Sequence, residues 1–202
     1  MPIINLVYEA PEWWKPWANT LAYFPLKENQ NDVMWNYTLP LTWTQEQIWY
    51  TFNKSWDQNI TINSSQRFVS CWVKINSYLS NWAQILSACN GWPFYNYYNS
   101  YSDSNKRFQA YSWSSRVFNS DQIQTNANTW YHYAWWWDGT KVVCYLNWSK
   151  VAEWTCNVNV WTSCKFITNI NVTFSELIYE SAVRTDQEIS DYYNQTKSNY
   201  GY

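Results

Sequence analysis

Asn128-Thr129-Trp130-Tyr131-His132-Tyr133-Ala134-Trp135-Trp136-Trp137-Asp138-Gly139-Thr140-Lys141-Val142-Val143-Cys144-Tyr145-Leu146-Asn147-Trp148-Ser149-Lys150 decides the fold. Two runs of strand length, 129–137 and 141–146, flank Asp138-Gly139, and a third, 150–155, follows Asn147-Trp148. Strand-length apolar runs separated by such dipeptides read as a meander of hairpins. The first turn obeys the rule and the second does not. Two-residue hairpin turns hold residues at positive φ, where glycine alone escapes a steric cost, so Asn-Gly is the expected pair. Tryptophan at positive φ is a backbone outlier.

Outward from this meander, apolar or alternating runs recur at 21–26, 47–52, 66–75, 84–88, 108–112, 164–168 and 174–181. Ten short strands separated by polar breaks argue for an all-β, antiparallel sandwich. One segment has a different period. Thr185 precedes Glu188 by three residues, and Ile189, Tyr192 and Tyr193 follow at helical spacing. This is a capping box opening a short helix near the C-terminus, too short to form its own core, so it is expected to pack on the sandwich. Residues 1–17 carry Pro2, Pro11 and Pro16 and read as an arm or linker, leaving 18–202 as one domain.

The anomaly at Asn147-Trp148 is not isolated. Tryptophan stands at breaks in Asn81-Trp82, Asn90-Gly91-Trp92, Ser112-Trp113, Glu153-Trp154 and Val160-Trp161, and the chain has 3 Gly against 18 Trp in 202 residues. Ordinary domains carry roughly 7% Gly. The pattern predicts that many of these tryptophans occupy glycine positions. One route is a source that reads UGA as glycine, its gene being translated as if UGA meant tryptophan. The alternative is genuine tryptophan enrichment for stacking on a ligand.

Net charge is −2 and only 14% of residues are charged, so nothing here has the electrostatic footprint of a nucleic-acid binder. No run approaches the roughly 18 apolar residues of a membrane span. The N-terminal sequence lacks the basic region and apolar length of a signal peptide. Five cysteines with a single histidine and no Cys-x-x-Cys pair speak against zinc. Cys71 and Cys144 lie in apolar strands and are expected as buried thiols, whereas Cys156 and Cys164 flank a polar segment across which they can bridge. Polarity resides in Asn, Ser, Thr, Gln and Tyr, which suits an extracellular or virion-surface protein with neutral, hydrogen-bonding partners.

The run 128–134, then Trp137 to Val142, then Tyr145-Leu146-Asn147, closely resembles the laminin-G-like branch of the concanavalin A-like lectin/glucanase superfamily. Phe174 to Tyr179 is similar to that family's penultimate strand, Thr185 to Ile189 to its closing helix, Leu21 to Leu26 with Asn29 to Asp32 to its opening strand, and Phe68 to Val73 to a central strand. The resemblance spans roughly residues 18 to 197. It implies a jelly-roll β-sandwich, with Trp72, Trp130 and Trp137 as true core tryptophans and Trp35, Trp148 and Trp154 at positions where relatives have glycine. It also implies a structural calcium ion, with Asn31, Asp32 and Glu176 as its oxygen ligands.

The glucanases of that superfamily carry Glu-x-Asp-x-Glu on one strand, because a retaining glycosidase needs two carboxylates about 5 Å apart. Here Glu176-Leu177-Ile178-Tyr179-Glu180 has the spacing, but Ile178 replaces the middle carboxylate. His132, between Tyr131 and Tyr133, reads as a sheet-face residue, with no nucleophile context elsewhere. The aromatic and polar segment 92–103 offers ring faces and hydroxyl partners for a sugar, which makes Tyr95, Tyr98, Tyr101 and Asp103 candidate ligand-binding residues. The equal alternative is that its tyrosines alternate along a packed strand. The expectation is a non-catalytic glycan-recognition module of a cell envelope or virion. A structural particle protein that self-assembles through the arm is the alternative, with a glycosidase behind both. Neither nucleic acid nor membrane insertion is expected.

Overall fold

A computed structural model describes residues 20–24, 44–46, 49–52, 56–61, 67–76, 83–87, 94–99, 107–112, 115–119, 126–155, 163–168 and 172–202. The chain is an antiparallel β-sandwich with one short C-terminal helix. The strands are β1 (Thr20–Phe24), β2 (Thr44–Glu46), β3 (Trp49–Phe52), β4 (Trp56–Thr61), β5 (Arg67–Ile75), β6 (Ala83–Ser87) and β7 (Phe94–Asn99). There follow β8 (Arg107–Ser112), β9 (Ser115–Asn119), β10 (Trp130–Trp137), β11 (Lys141–Leu146), β12 (Ser149–Thr155), β13 (Ser163–Thr168) and β14 (Val172–Glu180). Helix α1 (Asp186–Thr196) and a final 3-10 turn, Lys197–Tyr200, close the chain. The arm proposed for residues 1–17 lies outside the described residues.

The largest sheet runs β12-β11-β10-β5-β14-β3-β2, and β1 pairs β14 beyond the reach of β3. Strands β6-β7-β8-β9 form a second sheet, and β13 pairs β4. All ten expected strands are present, their ends shifted by a few residues. Four more, β2, β4, β7 and β9, were not among them. β2 is Thr-Gln-Glu, three polar residues with no apolar period to read, and it forms because β3 offers it an edge.

Strand β10 lies inside the large sheet, next to its central strand β5, and is buried on both faces. Phe68, Ser70 and Trp72 of β5 stand opposite Trp136, Ala134 and His132 of β10, so the two-residue repeat puts these six on one face with Trp130 and Tyr145. Arg67, Val69, Cys71, Val73, Tyr133, Trp135 and Trp137 alternate onto the other. A strand covered on both sides reads as a continuous apolar run. That is why 130–137 shows no polar alternation.

Helix α1 covers the first of these faces. Its buried residues, Ile189, Tyr192, Tyr193 and Thr196, follow the three-and-four spacing of one helical stripe. Ile189 joins Phe68, Ala134, Val143 and Tyr145, while Tyr193 and Tyr200 join Trp72 and Trp130. The Trp72 ring stacks on Tyr200 at 4.2 Å and on Tyr193 at 5.5 Å, and its Nε1 donates to Thr196 Oγ1 at 3.0 Å. A bulge in β14 completes the seat. Ser175 faces Trp72 and Ile178 faces Ser70, so Glu176 and Leu177 together oppose Cys71. Glu176 takes φ 51° there, and its carboxylate accepts from the Tyr192 hydroxyl at 2.6 Å.

Both central turns form. Gly139 takes φ 106°, and the loop is Gly139-Thr140, one residue later than Asp138-Gly139. Asp138 instead accepts from the backbone N–H groups of Thr140 and Lys141 at 2.8 and 2.7 Å. At the second turn Leu146 pairs Ser149, with Asn147 at φ 46° and Trp148 at φ 67°. Both central residues are left-handed, as the Asn-Gly reading requires. Strand β12 runs through Glu153-Trp154 without a turn, so that break is not one. Trp35, Trp43, Trp82, Trp92, Trp113 and Trp161 lie outside the described residues.

Trp72, Trp130 and Trp137 are buried, as expected of core tryptophans. Cys71 and Cys144 are buried free thiols; Cys156 lies outside the described residues. Trp72→Ala and Trp130→Ala are each expected to cost about 3–5 kcal/mol in urea denaturation. A loss below about 1 kcal/mol at Trp72 would contradict the docking of α1 on this face.

A cleft between the β11–β12 turn and helix α1

The capping box fixes where α1 begins. Thr185 Oγ1 accepts from the Glu188 N–H at 3.2 Å, and Glu188 Oε2 accepts from the Thr185 N–H at 2.8 Å. Arg184 bridges Glu180 and Glu188 and ties the helix start to the end of β14. With the start held there and Ile189 seated in the core, the first helical residue, Asp186, lies over β11. The Tyr145 hydroxyl donates to Asp186 Oδ1 at 2.6 Å and accepts from Trp136 Nε1 at 3.1 Å. Burial, and after it the hydrogen bond to Asp186, push the Tyr145 phenol well above its ordinary range. It therefore stays a protonated donor near neutral pH.

Beside this pair opens a cleft of about 390 Å³, lined by Tyr145, Trp148, Ser149, Lys150, Asp186, Gln187 and Ser190. Its size falls within the range of small-ligand sites. Several polar groups are held by neighbours that lie outside it. Gln187 Nε2 donates to Asp191 at 2.8 Å, and Lys150 Nζ to Glu153 at 3.1 Å. Lys141 also reaches Glu153 at 3.1 Å, so the two lysines share one carboxylate, and Asp186 is the opposite charge on the cleft wall. The wall thus combines hydroxyl, amide and carboxylate groups with aromatic surface and little unbalanced charge. Such a surface suits a polyhydroxylated neutral ligand.

Of the residues expected to bind ligand, two lie in the second sheet. Tyr95 and Tyr98 belong to β7, in the second sheet, and positions 95 and 98 fall on opposite faces of an extended strand. Tyr101 and Asp103 lie outside the described residues. Of the calcium set, Asn31 and Asp32 also lie outside them. Glu176 is fully buried, and one of its oxygens is engaged by Tyr192. Among the described residues no group of three or more His, Cys, Asp or Glu is placed to hold a metal ion. Glu180, the second carboxylate of the Glu-x-x-x-Glu run, is likewise fully buried and pairs with Arg184.

His132 is the sheet-face residue that its neighbours suggested. It is fully buried, its Nε2 lies 2.7 Å from Ser70 Oγ, and the rings of Trp72, Tyr192 and Tyr193 surround it at 5.3 to 6.0 Å. Its Nδ1 has no hydrogen-bond partner among the described residues. Burial lowers its pKa to about 3, so the ring is neutral.

The cleft was missed in the sequence because its two walls come from segments about forty residues apart. Asp186 and Gln187 were legible only as the first turn of a capped helix, and nothing in the spacing of Tyr145, Ser149 and Lys150 marks them as partners of that helix.

No protein-family model matches the chain, and no curated protein matches it in sequence. Solved structures do match in shape. Domain 4 of AbnA, an extracellular arabinanase of family GH43 from Geobacillus stearothermophilus solved with arabinotriose, superposes with a TM-score of 0.64 at 13% identity over 86% of this chain and 97% of that one. Trypanosoma rangeli sialidase gives 0.70 at 12% identity over 92% of this chain, which spans 34% of the sialidase. A structure of botulinum neurotoxin type C, whose cell entry depends on two ganglioside molecules, gives 0.60 at 13% identity, with 88% of this chain and 51% of that chain covered. At these identities the likeness establishes the β-sandwich fold.

The His132 environment sets a pH dependence. A histidine neutral in the folded state but titrating near 6.5 when unfolded contributes stability above pH 6.5, which is lost as pH falls toward 3. The slope approaches about 1.4 kcal/mol per pH unit within that window. His132→Gln is expected to flatten this part of the stability curve in urea denaturation; an unchanged slope would mean the ring titrates normally in the fold.

Proposed function

We propose that the chain is a carbohydrate-recognition module without catalytic activity, and that its glycan is held in the cleft beside Tyr145 and Asp186. The cleft itself is the observation that carries this reading. Gln187 and Lys150 are fixed by partners outside it, and the Tyr145 hydroxyl and Asp186 carboxylate hold each other, so a sugar meets a surface already ordered, and affinity is not lost to immobilising side chains. A domain of this shape is described with arabinotriose, and others are parts of a sialidase described with sialic acid and of a ganglioside-dependent toxin, which supports a glycan as the ligand. The burial of Glu176, Glu180 and His132 favours binding over hydrolysis, since a glycosidase must present two carboxylates to its substrate. Membership of the laminin-G-like branch, a place on a cell envelope or virion, and a structural calcium ion complete the proposal.

A glycan array of neutral and acidic oligosaccharides, run with and without a chelator, tests it. We expect binding without release of reducing ends. Asp186→Ala and Tyr145→Phe should each weaken the best ligand by about tenfold, the effect of losing roughly one hydrogen bond to a charged or buried partner. Loss confined to Tyr95→Ala and Tyr98→Ala would move the site to β7, and an array with no ligand at all would refute the reading.

A further inference from the structure

We propose that residue 148 is glycine in the natural protein, the tryptophan there being a codon that the source translates as glycine, and that the native cleft lacks the indole wall. The backbone makes the case. Leu146 and Ser149 pair, which leaves a two-residue loop with Asn147 at φ 46° and Trp148 at φ 67°. Positive φ at both central residues defines the primed turn that favours Asn-Gly.

The turn has no freedom to relax into another type. Asn147 donates its N–H to the His132 carbonyl at 2.8 Å and accepts from the His132 N–H on its Oδ1 at 3.0 Å, which locks the loop to β10. Residue 148 must therefore take what the turn imposes.

Four described non-glycine residues have positive φ: Asn128, Asn147, Glu176 and Trp148. Asparagine tolerates this conformation. Glu176 is held in it by full burial and by Tyr192. Trp148 has neither excuse. It is 51% exposed, and no hydrogen bond or ring stacking to a described residue holds its indole. The two described glycines, Gly139 and Gly201, sit at φ 106° and 87°, so this chain places glycine where the backbone demands it. Trp72, Trp130 and Trp137 show the opposite character, buried and within regular strands. A chain with 3 Gly and 18 Trp contains both kinds. The consequence for the cleft is direct: with glycine at 148 its mouth is backbone, and Tyr145, Asp186, Gln187 and Ser190 are left to meet a ligand. The inference stands without the glycan reading.

Two measurements test it. In the recombinant protein, Trp148→Gly should raise Tm by about 2–4 °C, and Trp148→Ala, which keeps the Cβ, should gain clearly less. A fall in Tm for Trp148→Gly, or equal effects of Gly and Ala, would overturn it. In protein isolated from the source cells, the tryptic peptide 142–150 should have the mass of a glycine at 148. A mass matching tryptophan would overturn it regardless of the stability result.

Discussion

The docking of α1 on the β5–β10 face is the interaction on which the other features depend. Trp72 is its centre: fully buried, stacked on Tyr193 and Tyr200, and hydrogen-bonded to Thr196. An amphipathic helix of 11 residues has no stability of its own, so its position is set by what it covers. A mixed aromatic and hydroxyl seat sets that position more narrowly than an oily one. Each of Trp72, Tyr192, Tyr200 and Thr196 has a polar atom that must find its partner inside, and one register of the helix satisfies all of them.

The cleft follows from that docking. Asp186 reaches Tyr145 because the capping box and Arg184 fix the helix start while the aromatic seat fixes its direction. A shift of α1 by one turn, about 5.4 Å, would separate the pair and abolish the cleft wall. The bulge that turns Glu176 toward Tyr192 has the same logic, since it spends a glutamate at positive φ on anchoring the helix. This is also why the Glu-x-x-x-Glu run, suggestive in sequence, has become structural at both ends: Tyr192 and Arg184 occupy the two carboxylates.

The meander 128–150 joins both themes. Asn147 clamps the β11–β12 turn onto β10, and the turn in turn supplies one side of the cleft. Its conformation is dictated by strand twist and by that clamp, whatever side chain stands at 148. Backbone demand and residue identity disagree there, with no burial and no hydrogen bond to a described residue to hold the side chain, whereas they agree at Gly139 and Gly201.

The sequence by itself determined ten of the fourteen described strands, the capped helix and the buried tryptophans. These depend on periods of two and of three to four residues, on turn dipeptides and on a Thr185–Glu188 cap, all of which act over short stretches of chain. It also showed that residue 148 sits where glycine belongs, because hairpin geometry is local. The polar strand β2 escaped because an edge offered by β3 creates it, and the role of Glu176 escaped because a bulge aims it. The cleft was decided by tertiary structure alone. Tyr145 and Asp186 meet only because a hydrophobic stripe on α1 must be buried against a sheet face whose composition lies some fifty to a hundred and twenty residues upstream, and no local pattern encodes that contact.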